Sequence, residues 1–274
     1  MPKIKLKLKG RPGWSIECSA MSIKNLGKTF DIHCGGIDLI FPHHQNEIAQ
    51  SEGWTGKKFV NYWLHNEWLL VNGQKMSKSL GNFYTLRDIL AKGYPAIAVR
   101  YLLLSTHYRQ QLNFTFEGID AAKASINRLN ELILKLQHFL GNTKERLKIV
   151  TNEVKGTRIA FEQAMDDDLN VSEALAAVFE LAKQINTWID DEETVGKKSA
   201  LEVLDFLKEA DTVFGVMNFS RKERLPSDIT KLIEERARLR KEKKFAEADK
   251  IRADLLRKGI QIDDTPEGVK WKKA

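Results

Sequence analysis

The chain has 274 residues, enough for two or three domains, and its 42% hydrophobic and 30% charged content is that of an ordinary soluble globular protein. No apolar run reaches the roughly 18 residues that span a bilayer. The opening Met1-Pro2-Lys3 runs into lysines without the apolar core of a secretory signal. Two cysteines, Cys18 and Cys34, exclude a disulfide framework and point to a reducing, cytoplasmic compartment. The net charge is +7 and uneven: residues 221–274 hold 17 Lys and Arg against 11 Asp and Glu, a difference of +6. That asymmetry suits either a nucleic acid or a salt-bridged surface helix.

In chain order, residues 3–9 alternate Lys with Ile or Leu, a half-buried strand pattern. Ser15 to Leu26 reads as a helix carrying Cys18. Phe30 to His33 reads as a strand that runs into Cys34-Gly35-Gly36-Ile37-Asp38. Two glycines after a strand let backbone approach a ligand, or make a tight turn, and Asp38 offers a carboxylate to a sugar hydroxyl. His43 and Glu47, four apart, share one face of a helix. With Cys18 they form a Cys, His, Glu set suited to zinc. The plainer alternative is a surface ion pair and a small buried thiol. Tyr62 to His65 and Trp68 to Val71 read as buried strands. Asn72-Gly73 is a turn signal, and Lys75-Met76-Ser77-Lys78-Ser79 is a loop beyond it. Two ammonium groups and two hydroxyls there suit a polyphosphate, or a solvated turn.

Leu86 to Lys92 and Ile97 to Leu104 read as helices separated by Tyr94-Pro95. Arg100, His107, Arg109 and Gln110 face RNA or make a polar surface. Ile119, Ala122, Ile126, Leu129, Ile133, Leu136 and Leu140 recur at spacings of three and four, an amphipathic helix with a long seam. Helices over 152–165, 174–189 and 201–214 complete a bundle. Asp166-Asp167-Asp168 reads as a helix terminus with capping, not a metal site. A basic linker, 221–226, precedes helices over 229–241 and 245–258, the second closed by Gly259. Two short strands, 260–264 and 269–271, follow.

Lys75 to Ser79 is identical to the KMSKS signature of class I aminoacyl-tRNA synthetases. Gly10 to Met21 (GRPGWSIECSAM), Phe30 to His33 and Phe41 to Ser51 (FPHHQNEIAQS) closely resemble cysteinyl-tRNA synthetase, and the likeness runs from about Gly10 to the C-terminus. It does not include the N-terminal half of that family's catalytic domain, and the family's His-x-Gly-His string is nowhere in the sequence. The resemblance implies a partial nucleotide-binding, Rossmann-like α/β half over 1–115, an α-helical bundle over 116–220 and a small α+β anticodon-binding domain over 221–274. It implies Lys75 and Lys78 as catalytic, with Gly35, Gly36, Asp38, Ser77, Lys78 and Ser79 on ATP and Mg2+. It assigns Zn2+ to Cys18, His43 and Glu47, the cysteine pocket to Trp14 and His33, and the anticodon's first base to Arg240, Asp249 and Asp264. The expected partners are tRNA(Cys), ATP and cysteine, with no membrane. The expected chain is a monomer or is complemented by the N-terminal half, and is inactive without it. Two alternatives are a stand-alone tRNA-binding module and the related ligase that joins cysteine to an amino sugar.

Overall fold

The computed structural model describes residues 10–138, 147–190, 194–220, 227–242, 244–265 and 268–273. The expected strand over 3–9, Leu140 of the helical seam, the 221–226 linker and Lys243 lie outside them. The chain forms two compact units, Met1–Phe219 and Ser220–Ala274.

The first unit opens with helix α1 (Trp14–Leu26), stopped by Gly27 at φ 96°. Strand β1 (Phe30–Gly36) runs through a turn of 3-10 helix and an irregular turn, Ile40–His44, into α2 (Gln45–Thr55). Strand β2 (Val60–Asn66) lies parallel to β1, in register from Phe30 opposite Val60 to Gly36 opposite Asn66. This β–α–β crossover is the expected half of a nucleotide fold. The run Tyr62 to His65, expected to be buried, is not: Tyr62 is 68% exposed, and Trp63, Leu64 and His65 are only partly buried.

A second sheet has the order β4–β3–β5. Strand β3 (Leu69–Val71) turns at Asn72 and Gly73 into β4 (Gln74–Lys75). Both turn residues have positive φ, 50° and 73°, the conformation that matches a two-residue hairpin to strand twist. Strand β5 (Leu112–Phe114) pairs parallel to β3, and the Asn113 side chain accepts from Gly73 N at 2.7 Å. Between them come α3 (Leu86–Ala91), with a Thr85–Asp88 capping box, and α4 (Ala96–Leu104), which starts after Pro95.

Four long helices follow: α5 (Phe116–His138), α6 (Leu147–Asp166), α7 (Val171–Ile189) and α8 (Lys197–Phe214). The predicted seam residues from Ile119 to Leu136 are all buried. One continuous core extends from Val71 of β3 through α4 and α5 to Met217. Arg100 of α4 donates from Nε to Phe214 O and from Nη2 to Val213 O, capping the last carbonyls of α8. Asp168 and Leu169, both left-handed at φ 55° and 57°, turn the chain from α6 into α7. There Asp168 accepts from Tyr108 Oη and Arg109 Nε, each at 2.6 Å, and its carbonyl lies 3.1 Å from His107 Nε2. Arg100, His107 and Arg109 therefore fasten α4 and the segment after it to the bundle.

The second unit pairs α9 (Ser227–Lys241) with α10 (Phe245–Arg257) and a hairpin of β6 (Ile260–Thr265) and β7 (Gly268–Lys273). Its core is Ile229, Leu255, Ile260 and Ile262.

Leu129 of α5 is wholly buried in the larger core. Leu129→Ala should cost about 2–5 kcal/mol through lost burial and the cavity left behind. Urea unfolding followed by far-UV circular dichroism measures it; a loss below 1 kcal/mol would mean the helix does not pack on its neighbours.

Candidate active site

Four elements converge on one carboxylate. Glu47, in the first turn of α2, is fully buried. His33 of β1 and His43 and His44 of the Ile40–His44 turn bring Nε2 to 3.4, 3.6 and 3.8 Å from Glu47 Oε2. Among the described residues neither Glu47 oxygen has a hydrogen-bond partner. Cys18 comes from α1, and the donor atoms of Cys18, His43 and Glu47 lie within 4.8 Å of one another. His33, His44 and Glu47 form a second such group.

The surroundings fix these rings. Ser15 Oγ lies 3.0 Å from His43 Nδ1, and the Trp14 ring covers His43 with centroids 4.2 Å apart. Ser19 Oγ donates to Gln50 Oε1 at 2.9 Å, tying α1 to α2. His44 Nδ1 is 2.8 Å from His65 Nε2, and Trp63 packs on both His33 and His44. A Cβ on Gly35 would sit 2.6 Å from His44 Cε1. The absent side chain of Gly35 is thus filled by an imidazole of the same chain.

Burial sets the charges. It raises the Glu47 carboxyl to about 7 and lowers His44 to about 4, with His33, His65 and His43 adding to the second effect. His33 is lowered by burial, then by His43 and His65. Burial, then the charges of Glu47 and Glu17, raises the Cys18 thiol. The cluster is a largely buried, nearly neutral set of lone-pair donors around a carboxylate that has no hydrogen-bond partner among the described residues. Its thiol, imidazole and carboxylate are donor types that fit zinc.

The KMSKS loop leaves the β3–β4 hairpin. Lys75 Nζ lies 4.1 Å from the Trp68 ring centroid, and Lys78 Nζ lies 5.6 Å from that of Phe83. Met76 packs against the main core. Asn82 spans the loop, accepting from Ser77 N at 2.8 Å and donating to Lys75 O at 3.2 Å. Ser77 Oγ and Ser79 Oγ are 3.1 Å apart.

The expected residues fall into three places. Cys18, His43, Glu47, Trp14 and His33 come together around Glu47. Lys75, Ser77, Lys78 and Ser79 share the loop, while Gly35, Gly36 and Asp38 lie at the end of β1, where Asp38 Oδ1 occupies the space a Gly36 Cβ would take. Arg240 on α9 and Asp249 on α10 are exposed in the second unit; the side chain of Asp264, on β6, lies outside the described residues. Cys34 is exposed and belongs to neither donor group. Sequence reasoning missed Ser15, His65 and Asn82. Asn82 follows Gly81 just after the signature, and its bonds across the loop leave no mark in the string itself.

Known proteins match along nearly all of the chain. Residues 7–124 match the family described as tRNA synthetases class I (C) catalytic domain, 160–218 the DALR domain, and 222–271 the cysteinyl-tRNA ligase anticodon binding domain. A cysteine–tRNA ligase of Protochlamydia amoebophila is 49% identical over 265 residues, 96% of this chain and 55% of that protein. One of Brachyspira hyodysenteriae is also 49% identical, over 97% of this chain and 56% of that protein. The chain belongs to the cysteinyl-tRNA synthetase family. It spans a little over half the length of those relatives. Two solved structures share the fold at low identity. One is an Agrobacterium radiobacter LeuRS–tRNA–LeuAMS complex, with TM-score 0.54 and 19% identity over 67% of this chain and 26% of that one. The other is a putative arginyl-tRNA synthetase of Campylobacter jejuni, with TM-score 0.53 and 13% identity over 79% and 53%. Among the described residues no helix is long and apolar enough to cross a membrane.

The two thiols should differ in reactivity. Cys34 is exposed, while Cys18 is partly buried with its pKa raised. Iodoacetamide at pH 8 should alkylate Cys34 first, by roughly tenfold or more, because the thiolate is the nucleophile. Peptide mass mapping over time reads this, and faster labelling of Cys18 would contradict the electrostatics described.

Proposed function

We propose that the chain is the part of a cysteine–tRNA ligase that holds the amino-acid floor, the KMSKS loop and the anticodon-binding domain, and that it works in the cytoplasm. The observation that carries this is the Cys18, His43 and Glu47 donor set beneath Trp14 and His33, in a unit that also carries Lys75 and Lys78. In this reading the division of labour is 1–115 for chemistry, 116–220 for the bundle and 221–274 for the anticodon.

In the reaction, a carboxylate oxygen of cysteine attacks the α-phosphorus of ATP, and the bond to the β-phosphate oxygen breaks, releasing pyrophosphate. A ribose hydroxyl at the end of tRNA(Cys) then attacks the activated carbonyl and releases AMP. Lys75 and Lys78 neutralise the charge that grows on the leaving pyrophosphate, with Ser77 and Ser79 supplying hydroxyl donors. The backbone of Gly35 and Gly36 faces the adenosine, the side-chain space of Gly35 being taken by His44, and Asp38 offers its carboxylate to the ribose. Zinc on Cys18, His43 and Glu47 supplies a soft acceptor that favours a substrate thiol over a hydroxyl. Trp14 and His33 wall the cysteine side chain and exclude water.

The β1–β2 pair supports dependence on a complementary segment. Parallel sheets are normally covered on both faces. Here Ile32 and Tyr62 remain 59% and 68% exposed. The anticodon-domain match over 222–271 disfavours the amino-sugar ligase.

Cysteine-dependent pyrophosphate exchange should be at background for this chain and appear when the N-terminal half of the catalytic domain is added. Lys78→Ala in the mixture should then lower the rate by about 10²–10³, the range for removing one preorganised charge-stabilising donor. Robust exchange by the chain alone would overturn the dependence; none in the mixture would overturn the ligase reading.

Arg240, Asp249 and Asp264 read the guanine at the anticodon's first position: arginine donates to its acceptors and carboxylates accept from its N–H groups. Asp249→Ala should weaken discrimination against adenine by about 1–3 kcal/mol, by analogy with base-edge readout. Filter binding of both RNAs measures it, and equal binding of the two by the unaltered chain would remove the assignment.

A further inference from the structure

We propose that Glu47 is a pivot for two overlapping metal sites, and that His33, His44 and Glu47 form a second site that takes a divalent ion through nitrogen and oxygen alone. The inference concerns donors on this chain and does not depend on the ligase reading.

The geometry comes first. His33 Nε2 and His44 Nε2 approach the same oxygen, Glu47 Oε2, at 3.4 and 3.8 Å. Those distances are too long for hydrogen bonds, which run at about 2.7–3.2 Å. The first matches the spacing of neighbouring donors around a tetrahedral ion, about 3.3 Å for bonds of roughly 2.0–2.1 Å, and the second is about 0.5 Å longer. Both Glu47 oxygens are buried and without a hydrogen bond, so a carboxylate aimed into the cluster has no other partner among the described residues.

The second shell is also in place. An ion at His44 Nε2 requires the ring hydrogen on Nδ1. His65 Nε2, 2.8 Å away, is there to accept it. Gly35 lets the imidazole reach this position, since a Cβ there would meet His44 Cε1 at 2.6 Å. His43 has its own partner in Ser15, at 3.0 Å, so the two sets have separate supports. They share only Glu47, which makes them mutually exclusive for one ion held through Oε2.

The two sites differ in softness. The Cys18 set includes a thiolate and suits zinc; the His33 and His44 set is harder and suits zinc, cobalt or nickel alike. When Cys18 is alkylated, oxidised or replaced, the ion therefore moves about Glu47 instead of leaving.

Cobalt(II) titration of the full chain tests this, read by absorption and by metal analysis after gel filtration. The unaltered chain should show a thiolate-to-cobalt charge-transfer band. Cys18→Ser should lose that band and still retain an equimolar amount of cobalt. Adding Gly35→Ala or His33→Gln to Cys18→Ser should abolish retention, while Gly35→Ala alone should keep the band, showing that the fold and the first set are intact. If Cys18→Ser retains no cobalt, the second site does not exist, although the first stands if the unaltered chain keeps its band. If Cys18→Ser with His33→Gln still retains the ion, the site lies elsewhere and the pivot is overturned. An unaltered chain that binds cobalt without the band removes the first set instead.

Discussion

The site is organised by a carboxylate, Glu47, that is fully buried and has no hydrogen bond among the described residues. Removing a carboxylate from water costs several kcal/mol even after relaxation, so an unpaired one in a packed cluster is retained against stability. Apolar packing at position 47 would suit α2 better. What the protein does instead is surround Glu47 with imidazoles from β1 and from the turn before α2, and a thiol from α1. Burial keeps His33 and His44 neutral, so they cannot compensate the carboxylate by charge. The arrangement is consistent with itself only if a cation belongs among these donors, or if Glu47 holds a proton, as its elevated pKa of about 7 allows. The positions of α1, β1, β2 and the irregular turn all follow from bringing side chains to this one point.

The KMSKS loop obeys a different constraint. Its platform is rigid: a two-residue turn with both φ positive, a strand pair that continues into β5, and the core beneath. Its lysines rest against aromatic rings, Lys75 on Trp68 and Lys78 on Phe83. Across the hairpin Leu70 faces Lys75, so Trp68, two residues earlier on the same face, is a diagonal neighbour. The resulting cation–π contact at the surface is worth about 0.5–1 kcal/mol. That is enough to bias where the ammonium rests, and too little to resist a polyphosphate. Met76, just beyond the end of β4, packs on the core, so the signature is anchored at its second residue while the Lys75 ammonium rests at the surface.

The sequence reveals these two constraints unequally. The helices were legible because apolar spacing states the period and the buried face at once, as the seam from Ile119 to Leu136 does. Strand β5 was not legible. Leu112–Phe114 is too short for a periodic signal, and it exists because β3 offers a parallel edge more than 40 residues earlier. The aspartates at 166–168 looked like a helix terminus, and they are one; that Asp168 also binds Tyr108 and Arg109 depends on packing that local sequence does not encode. Gly35 is the instructive case. Paired glycines after a strand suggest room for a ligand, yet the room at Gly35 is taken by His44. His65 could not be recognised as that ring's partner without the parallel register that sets Gly35 opposite it.

The terminal unit shows how a charge excess differs from a charge list. Several of its cations are already paired: Lys244 with Glu242 at 2.9 Å, Arg238 with the same Glu242 at 3.8 Å, and Arg257 with Asp254. Exposed pairs of this kind contribute about 0–1 kcal/mol and do little for stability. Pairing also removes one charge of each sign, so the +6 excess over residues 221–274 survives it. Beyond a Debye length of about 8 Å at physiological salt even that excess is screened. A polyanion is therefore attracted by the surface as a whole and only at short range. Arg240 and Asp249 are exposed on neighbouring helices of this unit, α9 and α10, and the hydrogen-bond geometry of a guanidinium and a carboxylate is not described by net charge.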